Sequence, residues 1–180
     1  MSAASEPPPE PATNASPNEP RLRPFVESFL RHDVEFLVIG GQAEYLMGGA
    51  RLTFDTDFCY RRTANNLKRV AAALSELQVT LRGAPADLPF RIDGDSLALG
   101  SNFTFNTIHG SFDLLGWVEP IGDYDALLPG SEGIDFRGNA IRLIGLADLI
   151  AVKEHIRRQK DQRSLEQLYA IRRRRERAGE

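Results

Sequence analysis

Two aspartates one residue apart, Asp55 and Asp57, stand in "RLTFDTDFCY", a segment that otherwise has the character of a buried strand. Alternate side chains of a strand share a face at a rise of about 3.3 Å per residue, so the two carboxylates point the same way with Cα atoms ~6–7 Å apart. Thr53 and Cys59 fall on their face, and Phe54, Phe58 and Tyr60 on the other. Carboxylates so spaced can converge on one or two divalent cations, and Mg²⁺ keeps part of its coordination sphere for water and phosphates. Phosphoryl transfer uses such ions to neutralise charge and align the attacking and leaving oxygens. A solvated polar strand face is the simpler alternative. Two features weigh against it. Aspartate is depleted in strands, yet Asp113 lies in the apolar "SFDLLGW"; beside the first strand it would bring a third carboxylate, and otherwise an edge or a turn accounts for it. Gly40–Gly41 follows the apolar "FLVI" and opens a short helix. Missing side chains there let a phosphate approach backbone N–H donors, although a tight turn also calls for glycine.

The chain that must position these groups has 180 residues, 42% hydrophobic and 26% charged, which is enough for one domain with its own core. A net charge of −3 does not describe a general polyanion binder. The run Arg172–Arg175 with Arg177 makes a locally basic end. It could meet nucleic-acid phosphates, or it is a solvated last helical turn that suits the helix dipole. The single cysteine, Cys59, excludes an internal disulfide and fits a reducing compartment. No stretch reaches the roughly 18 apolar residues of a membrane span, and the N-terminus lacks the features of a secretory signal. The expected location is cytoplasmic, with no membrane partner.

Residues 1–20 hold six of the eleven prolines and almost nothing apolar, the composition of a disordered tail. A single domain is expected over 21–180. "LRPFVESFLRHD" predicts a helix with Phe25, Phe29 and Leu30 on one face, and "EFLVIG" a strand. "TANNLKRVAAALSEL" predicts a helix capped by Thr63, with Leu67, Val70, Ala71, Leu74 and Leu77 as its apolar stripe. "QVTLRG" has strand character, and residues 83–96 read as a loop. Hairpins are expected about His109-Gly110 and Gly138-Asn139, a short helix at "DYDALL", and two helices from Gly145 broken near Arg158. The order predicts an α/β (α+β) domain: a mixed sheet flanked by helices, with a helical, basic C-terminus.

Strand, Gly-Gly, short helix, then Arg51-x-Thr53-x-Asp55-x-Asp57 and a later Asp113, resembles the nucleotidyltransferase (polymerase-β-like) superfamily. The details are most similar to its minimal bacterial members, including the AbiEii-like toxin group, in which a late helix carries a lysine and then a Lys-Asp pair. Here "AVKEHIRRQKDQ" supplies Lys153, Lys160 and Asp161. The resemblance spans Glu35 to about Leu168. It implies an enzyme that moves a nucleoside monophosphate from an NTP to a hydroxyl of RNA, protein or a small molecule, with release of pyrophosphate. Asp55, Asp57 and Asp113 would hold Mg²⁺ or Mn²⁺, with Asp113 also helping to deprotonate the acceptor. Gly40, Gly41, Arg51, Thr53 and Lys153 would contact the nucleotide, supported by Lys160 and Asp161. A cognate antitoxin is an implied partner. Solvated helix positions are the alternative for both lysines, and a local pair with Arg157 or Arg158 for Asp161. Many members have serine after the first glycine; Gly41 and Gln42 leave the phosphate to backbone donors. Thr56 stands where Ile or Val is usual.

Two other functions fit: a catalytically silent binding module of the same fold, antitoxin-like or nucleic-acid-associated, and a nucleic-acid binder acting through its basic tail. His32, His109 and His155 lack metal-ligand spacing, and no P-loop is present. His109 reads as a turn residue, and Trp117 and Cys59 as packing residues.

Overall fold

The computed structural model describes residues 19–50, 53, 55–84, 91–157 and 161–179. The proline-rich segment up to residue 18, Arg51, Phe54, part of the expected 83–96 loop, Arg158 and Lys160 lie outside the described residues. The elements are α1 (Glu19–Arg31), β1 (Phe36–Ile39), α2 (Gly40–Leu46), β2 (Thr56–Tyr60), α3 (Ala64–Glu76), β3 (Thr80–Leu81), α4 (Gly94–Leu99), β4 (Asn102–Thr107) and β5 (Gly110–Leu115). Then follow α5 (Tyr124–Leu127) with a 3-10 turn (Leu128–Gly130), β6 (Glu132–Phe136), β7 (Asn139–Leu143), α6 (Leu146–Ile156) and α7 (Asp161–Ala178).

The strands form one mixed sheet in the order β3-β4-β5-β2-β1-β7-β6. Hairpins account for β4–β5 and β6–β7, and β1 is antiparallel to β2. The parallel pairs β2–β5 and β1–β7 join the three units. The second hairpin turns through Arg137 and Gly138, both at positive φ, one residue before the expected position. Such a turn matches the strand twist.

One face of the sheet is apolar. Phe58 pairs with Val38, Thr56 with Phe112 and Phe112 with Phe105, so these side chains project together. Helix α1 lays Phe25 and Phe29 across them, with ring centroids 4.8 Å from Phe25 to Phe112 and 4.9 Å from Phe29 to Phe58. Each fully buried Phe contributes about 1.5–3 kcal/mol by area. Helix α1 buries Leu22, Phe25, Val26 and Phe29, whereas Leu30 is only partly covered. Helix α3 begins where Thr63 accepts a hydrogen bond from Asn66 N–H, and its predicted stripe is buried. Asn66 also ties α3 to the start of β1 through Glu35 and to Arg61.

Three local expectations change. Part of the predicted 83–96 loop is helical: the Asp93 carboxylate caps α4 by accepting from Ser96 N–H at 2.8 Å, and that bond holds its pKa below the usual range. Helix α1 begins at Glu19, inside the segment expected to be a tail. Trp117 is half exposed rather than core, since it lies two residues past the end of β5 at Leu115.

Cys59 is wholly buried, and burial, helped by the Asp123 charge, pushes its thiol up to about 12. Thiolate is the reactive form. A thiol reagent at pH 7.5 should therefore leave the native protein unlabelled and modify one thiol only as the chain unfolds; stoichiometric labelling of the native protein would contradict this packing.

Candidate active site

Antiparallel pairing of β1 with β2 sets Ile39, the last residue of β1, opposite Asp57. The next residue, Gly40, thus turns against that aspartate, although 17 positions separate them in sequence. Gly40 has φ +63°, and a Cβ there would fall on Asp57 Oδ2. A Cβ on Gly41 would lie 2.7 Å from Thr53 Oγ1. A side chain at Gly40 would close onto the Asp57 carboxylate, and one at Gly41 onto the Thr53 side chain.

The parallel β2–β5 pair sets Asp57 in register with Asp113, so both project from the face opposite the aromatic core. Asp55 lies immediately before β2 rather than within it, and it is exposed. Thr53 Oγ1 accepts from Asp55 N–H at 3.2 Å and lies 3.3 Å from Asp55 O, a short turn that presents Asp55. A cavity of about 510 Å³ opens here. Its lining includes Gly40, Gly41, Thr53, Asp55, Asp57 and Asp113, with Lys153 from α6 and Asp161 from α7. Arg51 and Lys160 lie outside the described residues.

Mg²⁺ is commonly bound by one or two carboxylates together with substrate phosphates and water. The pair Asp57–Asp113, hard oxygen donors on neighbouring strands beside a glycine gap, fits that chemistry. Among the described residues no group of three His, Cys, Asp or Glu side chains is drawn together tightly enough to hold a metal ion. The fit therefore rests on two carboxylates with Asp55 nearby, not on a closed cage.

Lys153 is not a solvated helix residue. It is 6% exposed, with Nζ 3.0 Å from Glu44 Oε2 and 3.5 Å from Asp161 Oδ1. Asp161 is likewise buried and reaches this lysine. Two groups in this environment escape the sequence reading. Glu44 belongs to a helix whose polar residues look solvated, and its partner is 109 positions away. Arg82 reaches the site through register alone. Its N–H donates to Thr104 O at 2.9 Å, Thr104 pairs with Asp113, and Arg82 Nη2 stands 4.0 Å from Asp113 Oδ1. The lining also holds Asn102, Trp117 and Glu119. Asn102 Oδ1 accepts from Gly116 and Trp117 N–H, and the Trp117 indole donates to Glu119 at 3.0 Å.

A second cavity of about 580 Å³ lies on the other side of Trp117. Its arginines are committed to the fold: Arg61 to Glu35 and Asp125, Arg62 to the Gly100 and Ala98 carbonyls. The basic run of α7 lies away from the carboxylates. Arg175 pairs with Glu132 at 2.8 Å, and Arg172 stands 3.8 Å from Glu176 and over the Tyr169 ring. His109 lies exposed in the β4–β5 turn.

No protein-family model and no curated relative matches the chain. Solved structures do share its fold. The lincomycin-bound lincosamide antibiotic adenylyltransferase LnuA has a TM-score of 0.58 at 15% identity, over 88% of this chain and 99% of that one. The antibiotic-resistance factor ANT(2'')-Ia has a TM-score of 0.56 at 12% identity, over 90% and 93%. A candidate nucleotidyltransferase from Thermotoga maritima has 0.52 at 14%, over 83% and 90%. The chain thus shares its fold with these solved structures; nothing in these likenesses singles out the AbiEii-like group.

Gly40→Ala should destabilise the protein by about 1–3 kcal/mol, from positive-φ strain and displacement of Asp57. Gly133→Ala, whose Cβ would meet nothing within 4 Å, should stay within about 0.5 kcal/mol of wild type. Urea denaturation of both variants checks this; equal stability would show that the Gly40 turn is not constrained.

Proposed function

We propose that the protein is a Mg²⁺-dependent nucleotidyltransferase, which moves a nucleoside monophosphate from an NTP to a hydroxyl and releases pyrophosphate. The observation that carries this reading is the register of Asp57 with Asp113 beside the Gly40 turn. An adenylyltransferase with the same fold supports it. LnuA is an adenylyltransferase of lincosamides, and ANT(2'')-Ia has been solved with adenylyl-2''-tobramycin. A small hydroxylated acceptor therefore stands beside RNA and protein as a candidate substrate. The Gly41-Gln42 pair and the lysine-bearing late helix keep the minimal AbiEii-like type, with its antitoxin partner, as the nearest sequence resemblance.

In this reading Asp57 and Asp113, with Asp55 nearby, would hold the metal, which would neutralise charge on the phosphates. Gly40 and Gly41 let the triphosphate lie against the backbone, and Arg51 is a further candidate for its phosphates. Thr53 acts chiefly by fixing Asp55, since its hydroxyl bonds that residue's backbone. Asp113 receives the acceptor's proton. The acceptor oxygen bonds to the α-phosphorus as the bridge to the β-phosphate breaks, and pyrophosphate leaves with that electron pair. Lys153, buried beside the cavity, offers a compact positive charge to the phosphates.

Each α-³²P-labelled NTP, supplied with Mg²⁺ and a pool of RNA, protein and small-molecule acceptors, should label an acceptor with wild type. Asp57→Asn and Asp113→Asn should each lower the rate at least ~100-fold, the scale of a lost electrostatic group. Mg²⁺-dependent NTP binding without label transfer would favour a silent module of the same fold, and neither binding nor transfer would sink the nucleotide reading.

A further inference from the structure

Glu44 has no role in the reading above, yet it is the most deeply buried carboxylate around the site. It is 0% exposed, and neither of its oxygens has an aligned hydrogen bond among the described residues. Burying such a charge is costly unless it is compensated. The compensation is the Lys153 ammonium, 3.0 Å from Oε2, and both side chains are almost wholly withdrawn from water. The backbone packs against the stem of this side chain: Gly49 N–H donates to Glu44 O at 2.9 Å, and a Cβ on Gly49 would come within 2.9 Å of Glu44 Cγ. Gly49 thus packs on this glutamate as well as following the helix.

Fold stability alone gives little reason for the arrangement, because two apolar residues of similar volume often do as well or better than a buried ion pair. A lysine at a helix surface ordinarily runs its stem out to water. Here the head group is drawn back to the cavity wall, between Glu44 of α2 and Asp161 of α7. Glu44 lies four residues after Gly40 and three after Gly41, so it occupies the same side of the short helix about 5–6 Å further along. The element that carries the glycine turn therefore also carries the anchor of the lysine.

We infer that Glu44 is a positioning residue: its buried carboxylate fixes the Lys153 ammonium relative to the Gly40–Gly41 turn, so that one cation is held ready for the phosphates of a bound nucleoside triphosphate. This rests on the nucleotidyltransferase reading. Asp161 shares the ammonium at 3.5 Å but comes from α7, so it cannot set the lysine's distance from the glycines in the same way. Glu44 acts through an oxygen at a fixed place. An uncharged acceptor there keeps the anchor, and an apolar side chain removes it.

The test is Mg²⁺-dependent binding of the four NTPs, measured by calorimetry on the full chain, with thermal unfolding of every variant alongside. Glu44→Leu should weaken NTP binding about tenfold, the scale of one close charge pair lost at a binding site. Glu44→Gln should keep most of the wild-type affinity. Lys153→Met should weaken binding as Glu44→Leu does, and the double variant no further than Lys153→Met alone. If Glu44→Leu fails to fold, the double variant, which buries an apolar pair, carries the test against Lys153→Met: equal affinity supports the inference and a further loss overturns it. NTP affinity unchanged in a folded Glu44→Leu, or additive losses in the double variant, would reduce Glu44 to a structural role and leave the transferase reading standing. Failure of the wild type to bind any NTP would remove that reading, and this inference with it.

Discussion

The antiparallel pairing of β1 with β2 is the constraint on which the rest of the site depends. It sets Ile39 opposite Asp57 and so turns Gly40 directly against a carboxylate. Strand pairing fixes register strongly where one face is buried, because a slip of one residue would exchange the two faces. Here Phe58 and Val38 fill the core while Asp57 faces the cavity. Burial of the phenylalanines under α1 therefore holds the carboxylates in place. Packing and chemistry occupy opposite faces of the same strands.

The parallel step from β2 to β5 does the corresponding work for Asp113. The β3–β4 register then brings Arg82 alongside, 4.0 Å from Asp113. On the opposite wall, Lys153 stands between Glu44 and Asp161, one cation between two carboxylates. Asp55, Asp57, Asp113, Glu119 and Asp161 line the cavity against only Arg82 and Lys153 among the described lining residues. A lining of this kind suits a divalent cation and the phosphates it carries better than a bare polyanion. The arginines of α7 do not change that balance, since Arg175 is committed to Glu132 on the sheet edge.

Much of the fold follows from local pattern. Thr63 and the apolar stripe of α3, both hairpins and the break between α6 and α7 are features of neighbouring residues, and short-range physics fixes them. The part misread as loop is instructive: "DGDSLALG" looks irregular because of its Asp and Gly, yet Asp93 is a cap and the rest is α4. Trp117, expected in the core, lies past the end of β5, half exposed where two cavities meet.

For the site, the spacing marks residues that the fold brings to one cavity: Gly40-Gly41, Asp55-x-Asp57 and Asp113. Lys153 could be named only by resemblance, since on a helix it looks solvated. Glu44 and Arg82 left no signal, because their meaning lies in a partner rather than in a neighbour. Glu44 acquires its role from an ammonium 109 positions away, and Arg82 from a strand register set across the chain segment that contains α4. Local spacing determines which groups share a strand or helix face. Which faces meet, and so which charge neutralises which, is decided only when the sheet order brings distant segments within a few ångströms.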